Sequence, residues 1–456
     1  MAEEKVRGSG WRTALGLASV ALIGLPPAVV AQQPQTTPTF TRDVAPIFQE
    51  KCEACHRADS IAPMSLVTYE ETRPWVRSIR NRVVSRQMPP WHIDRTLGIQ
   101  EFKNDRSLTN AQIGTIVRWI DGGAPKGDPK DMPPAVRWPT GQGWVLGATF
   151  NQAEPDLVVT STPWTQKAGA NDAWWKPVIP TGLTEPRWVR GIEVRPSSVK
   201  ARKITHHVVL RLQQEETDDL AVNPTDPFGN PLPGTFMEWA VGKQGEVMRP
   251  DSGKLMLPGS KVVFDIHYSD GGEEVTDTVD VGFYFYPKGQ EPKYRQVLHL
   301  MGATNAGGVD IPPNTVKATE GYFVLRENGR IESFQPHLHL RGKSMSMEAI
   351  LPNGQTHVLS HVDNFNFNWH NSYLYADQSA PLLPRGTIIK ITAWHDNTAA
   401  NPSNPDPNVW VGYGDRTVDE MAHAWVNVTY LADEDYQAEV EARRAQLSRS
   451  TQDQQQ

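Results

Sequence analysis

Lys261-Val262-Val263-Phe264-Asp265-Ile266-His267-Tyr268 decides how the larger part of this chain is read. It is a short apolar stretch that stops at a polar turn, which is the signature of a strand rather than of a core helix. Runs of the same kind recur at Val279 to Tyr286, Tyr322 to Arg326, Ser346 to Leu351 and Ile388 to Trp394, separated by turns rich in Gly, Pro, Asn and Asp. The pattern predicts antiparallel sandwiches or jelly rolls. The region is large for one sandwich, so it is expected to divide near residue 290, into units 155–290 and 291–432. The tail, 433–456, carries a charged helix-like stretch from Glu434 to Leu447 and then a Gln/Ser-rich end, expected to be a peripheral helix followed by disorder.

Composition agrees with this picture. Pro (37) and Gly (35) are frequent and charged residues make up only 21%, which favours loop-rich β structure over long helices. A net charge of -7 with no basic patch or tail argues against a nucleic-acid partner.

Upstream, the pattern changes. Residues 38–130 carry two helical signals. Thr41-Arg42-Asp43 can cap a short helix with Val44, Ile47 and Phe48 on one face. From Thr109 to Asp121, Ile113, Ile116, Val117 and Ile120 follow the helical repeat, and Gly122-Gly123 stops it. Between them lies Cys52-Glu53-Ala54-Cys55-His56, which uses both cysteines of the chain. Two thiols at this spacing can each add across a vinyl group of one haem, and the following histidine is placed to bind the iron. A redox C-x-x-C pair needs no following histidine, and no second Cys pair exists to complete a zinc site. The expectation is one covalently bound haem c in a small all-α unit that resembles the cytochrome c fold.

The sixth iron ligand is expected to be Met88, because Pro89-Pro90 stiffen its loop between the two helices. Met64 follows His56 too closely to reach the opposite face, Met132 lies in a Pro-rich stretch past the last helix, and His92 is the remaining rival. Residues 131–154, rich in Pro, Gly and Trp and without periodicity, read as a linker. At the N-terminus Lys5, Arg7 and Arg12 precede an apolar run from Ala14 to Leu25, then Pro26-Pro27 and Ala28-Val29-Val30-Ala31. This reads as a secretory signal, residues 1–31, and not as a stable membrane span. Signal and haem motif both point to the periplasm or beyond.

Five of the thirteen histidines stand in strand contexts: His206-His207, His267 and His337-Leu338-His339. On a strand, residues i and i+2 point to one side, so His337 and His339 form a two-nitrogen chelate. Adjacent His206 and His207 would face opposite ways unless a bulge, a twist or a strand end intervenes. Each has a plainer reading as a hydrogen-bonded strand residue, and Met421 as a core methionine. Phe365, Phe367, Trp369 and Tyr373 alternate as a buried strand face would and are read as core. His395 is read as bracing a loop.

The order His-His, His-Tyr, His-x-His and then Asp419-Glu420-Met421 resembles the copper type II, ascorbate-dependent monooxygenases, the family of the peptidylglycine α-hydroxylating and dopamine β-hydroxylating enzymes. The resemblance spans residues 155 to 432. It implies two β-sandwich domains facing each other across a cleft, with one copper held by His206, His207 and His267 and a second, the oxygen site, by His337, His339 and Met421. A thioether favours Cu(I), and three protein ligands leave a position open.

The chain departs from the family in having no cysteine outside the haem motif. It has Gln335 where the peptide-processing branch has a carboxylate-binding Arg, and His423 and Trp425 where that branch has Asn and Tyr. A glycine-extended peptide is therefore a poor candidate substrate, and His423 is either a substrate contact or a strand residue. The implied activity is dioxygen-dependent hydroxylation of a C–H bond in a small molecule or peptide, with electrons fed singly by the fused haem from an external reductant or redox protein. The competing class is a non-catalytic electron carrier, or a copper-binding or copper-sensing protein.

Overall fold

The capping box at Thr109 marks where the last helix of the N-terminal part begins. Thr109 Oγ1 accepts the backbone N–H of Gln112, and the Gln112 side chain accepts that of Thr109, so two otherwise unpaired donors are satisfied. In the computed structural model, which describes residues 37–138, 143–215, 234–243, 245–303 and 308–453, this helix runs Asn110–Asp121. It packs Ile116 and Trp119 against Phe40, Val44 and Phe48 of the turn Phe40–Val44 and the helix Ala45–Lys51. Two further helices, Tyr69–Thr72 and Val76–Val84, close the cluster. The first helical start is set by Thr39 rather than Thr41: Asp43 accepts the Thr39 N–H at 2.7 Å, and Thr41 is buried.

The rest is β structure, and four of the five predicted strands are present, while of Tyr322 to Arg326 only 322–324 is extended, as the end of the strand Val316–Val324. In the first sandwich a sheet ordered Ala173–Trp175, Lys261–Tyr268, Thr205–Gln213 and Gly234–Ala240 faces Leu157–Thr160, Val279–Phe285, Arg187–Pro196 and Ser252–Met256. Val208, Leu210, Phe264 and Ile266 meet Ile192, Val194, Val281 and Phe283 between them. In the second, Val316–Val324, Ile388–Asp396, Gly342–Ile350 and Thr356–Val362 face Tyr294–Ala303, Ala422–Leu431, Asn328–Ile331 and Ser333–His337, over Met345, Met347, Ile391, Val426 and Val428. Alternate residues of each strand supply these cores, as the pleat requires.

The expected division near residue 290 separates two hydrophobic cores but not two sheets. Tyr294 and Arg295 pair in parallel with Ser252 and Gly253, so one 11-stranded sheet, as described, runs through both sandwiches.

Two other boundaries differ from expectation. The stretch 38–130 is not self-contained, because Trp91, Ile93 and Phe102 are buried in the core of the second sandwich. Ile93 pairs with Val362 and Phe102 with Tyr375, and the Trp91 and Tyr373 rings lie 4.8 Å apart. Residues 90–106 thus form a strap along the second sandwich, held by Asp94 N–H to His361 O (2.7 Å), Ile99 N–H to Leu359 O (2.9 Å) and Lys103 N–H to Leu374 O (2.8 Å).

The linker 131–154 is also anchored where it is described. The buried Glu193 carboxylate accepts the N–H groups of Val145 and Leu146 at 2.8 Å, and Arg195 lies over the Trp144 ring. Beyond the sandwiches the helix Asp433–Asp453 starts with Asp433, Glu434 and Asp435, where the helix dipole favours acids. The signal-like residues 1–31 lie outside the described residues. Among those described, no helix is long and apolar enough to cross a membrane.

Candidate metal centre

The helix Val199–Ile204 ends immediately before the His-His pair, and Thr205 Oγ1 ties the junction by donating to Ala201 O at 2.8 Å. The chain then enters the strand Thr205–Gln213, whose pairing with Lys261–Tyr268 slips between His267 and Tyr268. This irregularity sits where adjacent histidines need it. His207 lies opposite His267, His206 occupies the slip, and the Nδ1 atoms of His206 and His207 come within 3.1 Å of each other.

Hydrogen bonds fix which nitrogens are free. His206 Nε2 donates to Phe367 O at 3.0 Å, leaving its lone pair on Nδ1. His267 Nε2 bonds the Asp172 carboxylate at 3.1 Å, and that carboxylate also accepts the Thr417 hydroxyl. The His267 ring stacks on Trp174, and its Nδ1 is buried without a partner. An imidazole with one nitrogen engaged by a carboxylate or carbonyl and the other free is the arrangement of a metal ligand.

The second group is built the same way. His337 ends the strand Ser333–His337, and His339 follows two residues on, their rings 5.2 Å apart. His339 Nδ1 donates to Asp419 O at 3.0 Å, leaving Nε2 free. Glu420 is fully buried and accepts the backbone N–H groups of His339 (2.9 Å) and Arg341 (2.6 Å), which locks the His-x-His turn to the Asp419-Glu420-Met421 segment. Burial pushes the Glu420 carboxyl up, but His395 and His339 beside it outweigh this and hold it below the ordinary range. His395 braces the same segment, donating from Nε2 to Met421 O at 3.0 Å. Met421 is thereby fixed through its backbone. His423 pairs with His337 across the sheet, their rings stack at 4.9 Å, and both His423 nitrogens are buried and unpartnered.

The two groups do not stand across a cleft, as the family resemblance implied; they meet. The His207 and His337 rings are 5.5 Å apart, and His370 lies between the groups, 4.9 Å from the His206 ring and 4.7 Å from that of His337. Among the described residues, the donor nitrogens of His206, His207 and His370 lie within 4.8 Å of one another.

In the sequence His370 stands in no cluster that marks it as a ligand, and residues 363–372, whose aromatic alternation suggests a buried strand face, form no strand. Phe365 and Tyr373 are buried in the core and Phe367 packs against it while also stacking on His206 at 4.4 Å, whereas Trp369 is not part of that cluster. Gln335 is a buried brace, donating from Nε2 to the Glu238 carboxylate and to His370 O at 3.2 Å.

Burial keeps the imidazoles neutral. His206 and His423 are each pushed down to about 3, and His207, His337 and His370 well below the usual histidine range, first by desolvation and then by the neighbouring rings. Neutral imidazole is the ligating form.

In the helical part, Cys52 and Cys55 are unpaired, and burial pushes the Cys52 thiol up to about 12. His56 Nδ1 donates to Met64 O at 3.2 Å, so Nε2 carries the lone pair, and Met64 is held on the His56 side. Met88 and His92, the two candidates for the opposite ligand, line one cavity of about 210 Å³ with Val83, Leu108 and Ile113, residues of the cluster against which Cys52 packs. Burial pushes His92 down to about 4. His299 is a buried residue hydrogen-bonded through Nε2 to Tyr430 Oη at 2.7 Å.

No protein-family model and no curated protein matches the chain. Among solved structures it is similar to the major capsid protein P2 from bacteriophage PM2, at 10% identity, with a TM-score of 0.24 over 61% of this chain and 98% of that one. It is also similar to a Paenibacillus xanthan lyase (10% identity, TM-score 0.17, 61% of this chain and 26% of that one). A third is the infectious bursal disease virus VP2 subviral particle (9% identity, TM-score 0.18, 63% and 78%). These scores are too low to define a shared fold.

Proposed function

We propose that the protein is an exported haem–copper oxidoreductase that hydroxylates a C–H bond with dioxygen. The observation that carries this reading is the convergence of His206, His207, His267, His337, His339, His370 and His423, with His267 Nδ1, His370 Nε2 and both His423 nitrogens unpartnered in a buried setting where that is costly. On this reading His206, His207 and His267 hold one copper, and His337, His339 and Met421 hold the second. Copper so held supplies one-electron redox chemistry and an open position for dioxygen.

The protein's own part is to fix the ligands before metal arrives. Asp172 sets the His267 tautomer, Asp419 O sets that of His339, and Glu420 with Arg341 holds the turn carrying His337 and His339. Trp425, 4.8 Å from the His337 ring, and Phe367 exclude water from the two sides.

Cys52, Cys55, His56 and Met88 would hold one haem c, which would supply single electrons to the copper centre. The His56 tautomer and the Met64 carbonyl suit the proximal role. Export to the periplasm follows from the signal-like leader and the haem motif together.

A second reading, a non-catalytic copper-binding or electron-transfer protein, draws on the depth of the cluster: His337, His370 and His423 are only 2–3% exposed. Metal analysis of the exported protein, combined with oxygen uptake under an external reductant, separates the two. One haem, two coppers and oxygen consumption are expected; two coppers with no oxygen consumption against a broad panel of C–H substrates would favour the second reading.

A further inference from the structure

We propose that His370 is a metal ligand, an additional nitrogen donor at the copper that His206 and His207 hold, so that this site draws its donors from both sandwiches. This rests on the copper reading above and goes beyond it, because the resemblance assigns His370 no role.

Three observations carry it. First, the three donor nitrogens already lie within 4.8 Å of one another. Metal–nitrogen bonds of about 2.0–2.1 Å put neighbouring donors roughly 3.3–3.6 Å apart, so closing on an ion takes shifts of about 1 Å. Second, His370 is 3% exposed and its Nε2 has no hydrogen-bond partner, while its Nδ1 lies 3.3 Å from His337 Nδ1. A buried imidazole nitrogen without a partner, on a ring 4.9 Å from that of His206 and 5.6 Å from that of His207, is chemically suited to ligation.

Third, the ring is presented by a loop fastened on both sides. Gln335 Nε2 donates to His370 O, and Asn371 Nδ2 donates to Pro90 O at 3.1 Å; within the loop Trp369 N–H closes a turn on Asn366 O at 2.9 Å. A loop held this way positions its donor before the ion arrives. Metal bound to His206, His207 and His370 would join the first sandwich to loop 363–372, and through Pro90 to the strap.

The test uses the full haem-loaded chain, stripped of other metal, in three parts. Cu(I) is titrated against a chromophoric chelator, imidazole nitrogens coupled to Cu(II) are counted by pulsed electron paramagnetic resonance, and hydrogen exchange is followed in loop 363–372 with and without copper. His370→Gln is expected to weaken one of two coppers by more than about tenfold and to lower the imidazole count at that site by one. In the wild type, copper is expected to protect 363–372. Two coppers bound by His370→Gln with unchanged affinity and imidazole count would overturn the His370 assignment alone. No copper uptake by the wild type would overturn the copper reading with it. Should His370→Gln fail to fold, the wild-type exchange decides: a loop that copper leaves unprotected refutes the proposal.

Discussion

Acidifying the metal-free protein should weaken it in proportion to the number of buried histidines, and the size of the effect follows from the structure. An unfolded histidine titrates near 6.5, whereas His206 and His423 are held down to about 3 by burial. Between these values the unfolded chain binds protons that the folded chain refuses, so stability is fully present above pH 6.5 and declines as pH falls toward 3. From pH 7 to pH 5 each such group removes about 2 kcal/mol, or about 4 kcal/mol for the pair. Glu238 acts oppositely: burial pushes its carboxyl up to about 8, so the folded state gains roughly 2 kcal/mol over the same interval. A comparison of variants cancels that term.

Urea unfolding followed by tryptophan fluorescence, in wild type and in His206→Gln/His423→Gln, should show the wild-type midpoint falling further between pH 7 and pH 5. With a slope of about 3 kcal/mol/M the excess is about 1 M. Equal falls in the two proteins would mean that these imidazoles are not held neutral by the fold, and the argument from free lone pairs would fail with it.

Cys52→Ala/Cys55→Ala should abolish haem stain on denaturing gels; haem extracted from the wild type by acidified solvent would rule out thioether attachment. Met88→Ala should keep the haem but lose the near-infrared methionine-to-iron band, and persistence of that band would move the ligand to Met64 or Met132. His207→Ala should lower copper to about one per chain, while Met421→Ile keeps most of the copper and stops turnover; absence of copper–sulfur scattering in X-ray absorption of the reduced wild type would exclude Met421. Asn371→Leu removes the 3.1 Å bond to Pro90 O and should slow copper-dependent oxidation of pre-reduced haem by dioxygen without changing the haem spectrum. An unchanged rate would place any electron route elsewhere.

The strands and the candidate ligands were legible because both are written locally. Lys261–Tyr268 appears with its predicted bounds, and the requirement that adjacent His206 and His207 sit at an irregularity is met by the register slip opposite them. His370 was not legible, because the alternation of Phe365, Phe367 and Trp369 imitates a strand face. The interleaved Asn364, Asn366, Asn368 and Asn371 are turn formers, and giving them weight would have favoured a loop. The strap was missed for another reason. Trp91, Ile93 and Phe102 have no helical or strand period, and their partners Tyr373, Val362 and Tyr375 lie some 270 residues further along the chain, where local pattern carries no information.

That strap gives the N-terminal part a fixed relation to the histidine cluster. Met88 is two residues from Pro90, whose carbonyl accepts from Asn371, and Asn371 is the residue after His370. His92 N–H donates to Tyr373 Oη at 3.2 Å, and Asn104 bonds both Ser372 O (2.7 Å) and the Leu374 N–H (3.1 Å), so the same short loop is gripped on either side of that link. Segments joined by a flexible linker would show none of this, since hydrogen bonds that immobilise a loop reduce its conformational freedom and must be compensated by packing such as the burial of Trp91, Ile93 and Phe102. If Met88 holds the iron and His370 the copper, a few covalent steps and one hydrogen bond join the two ligands.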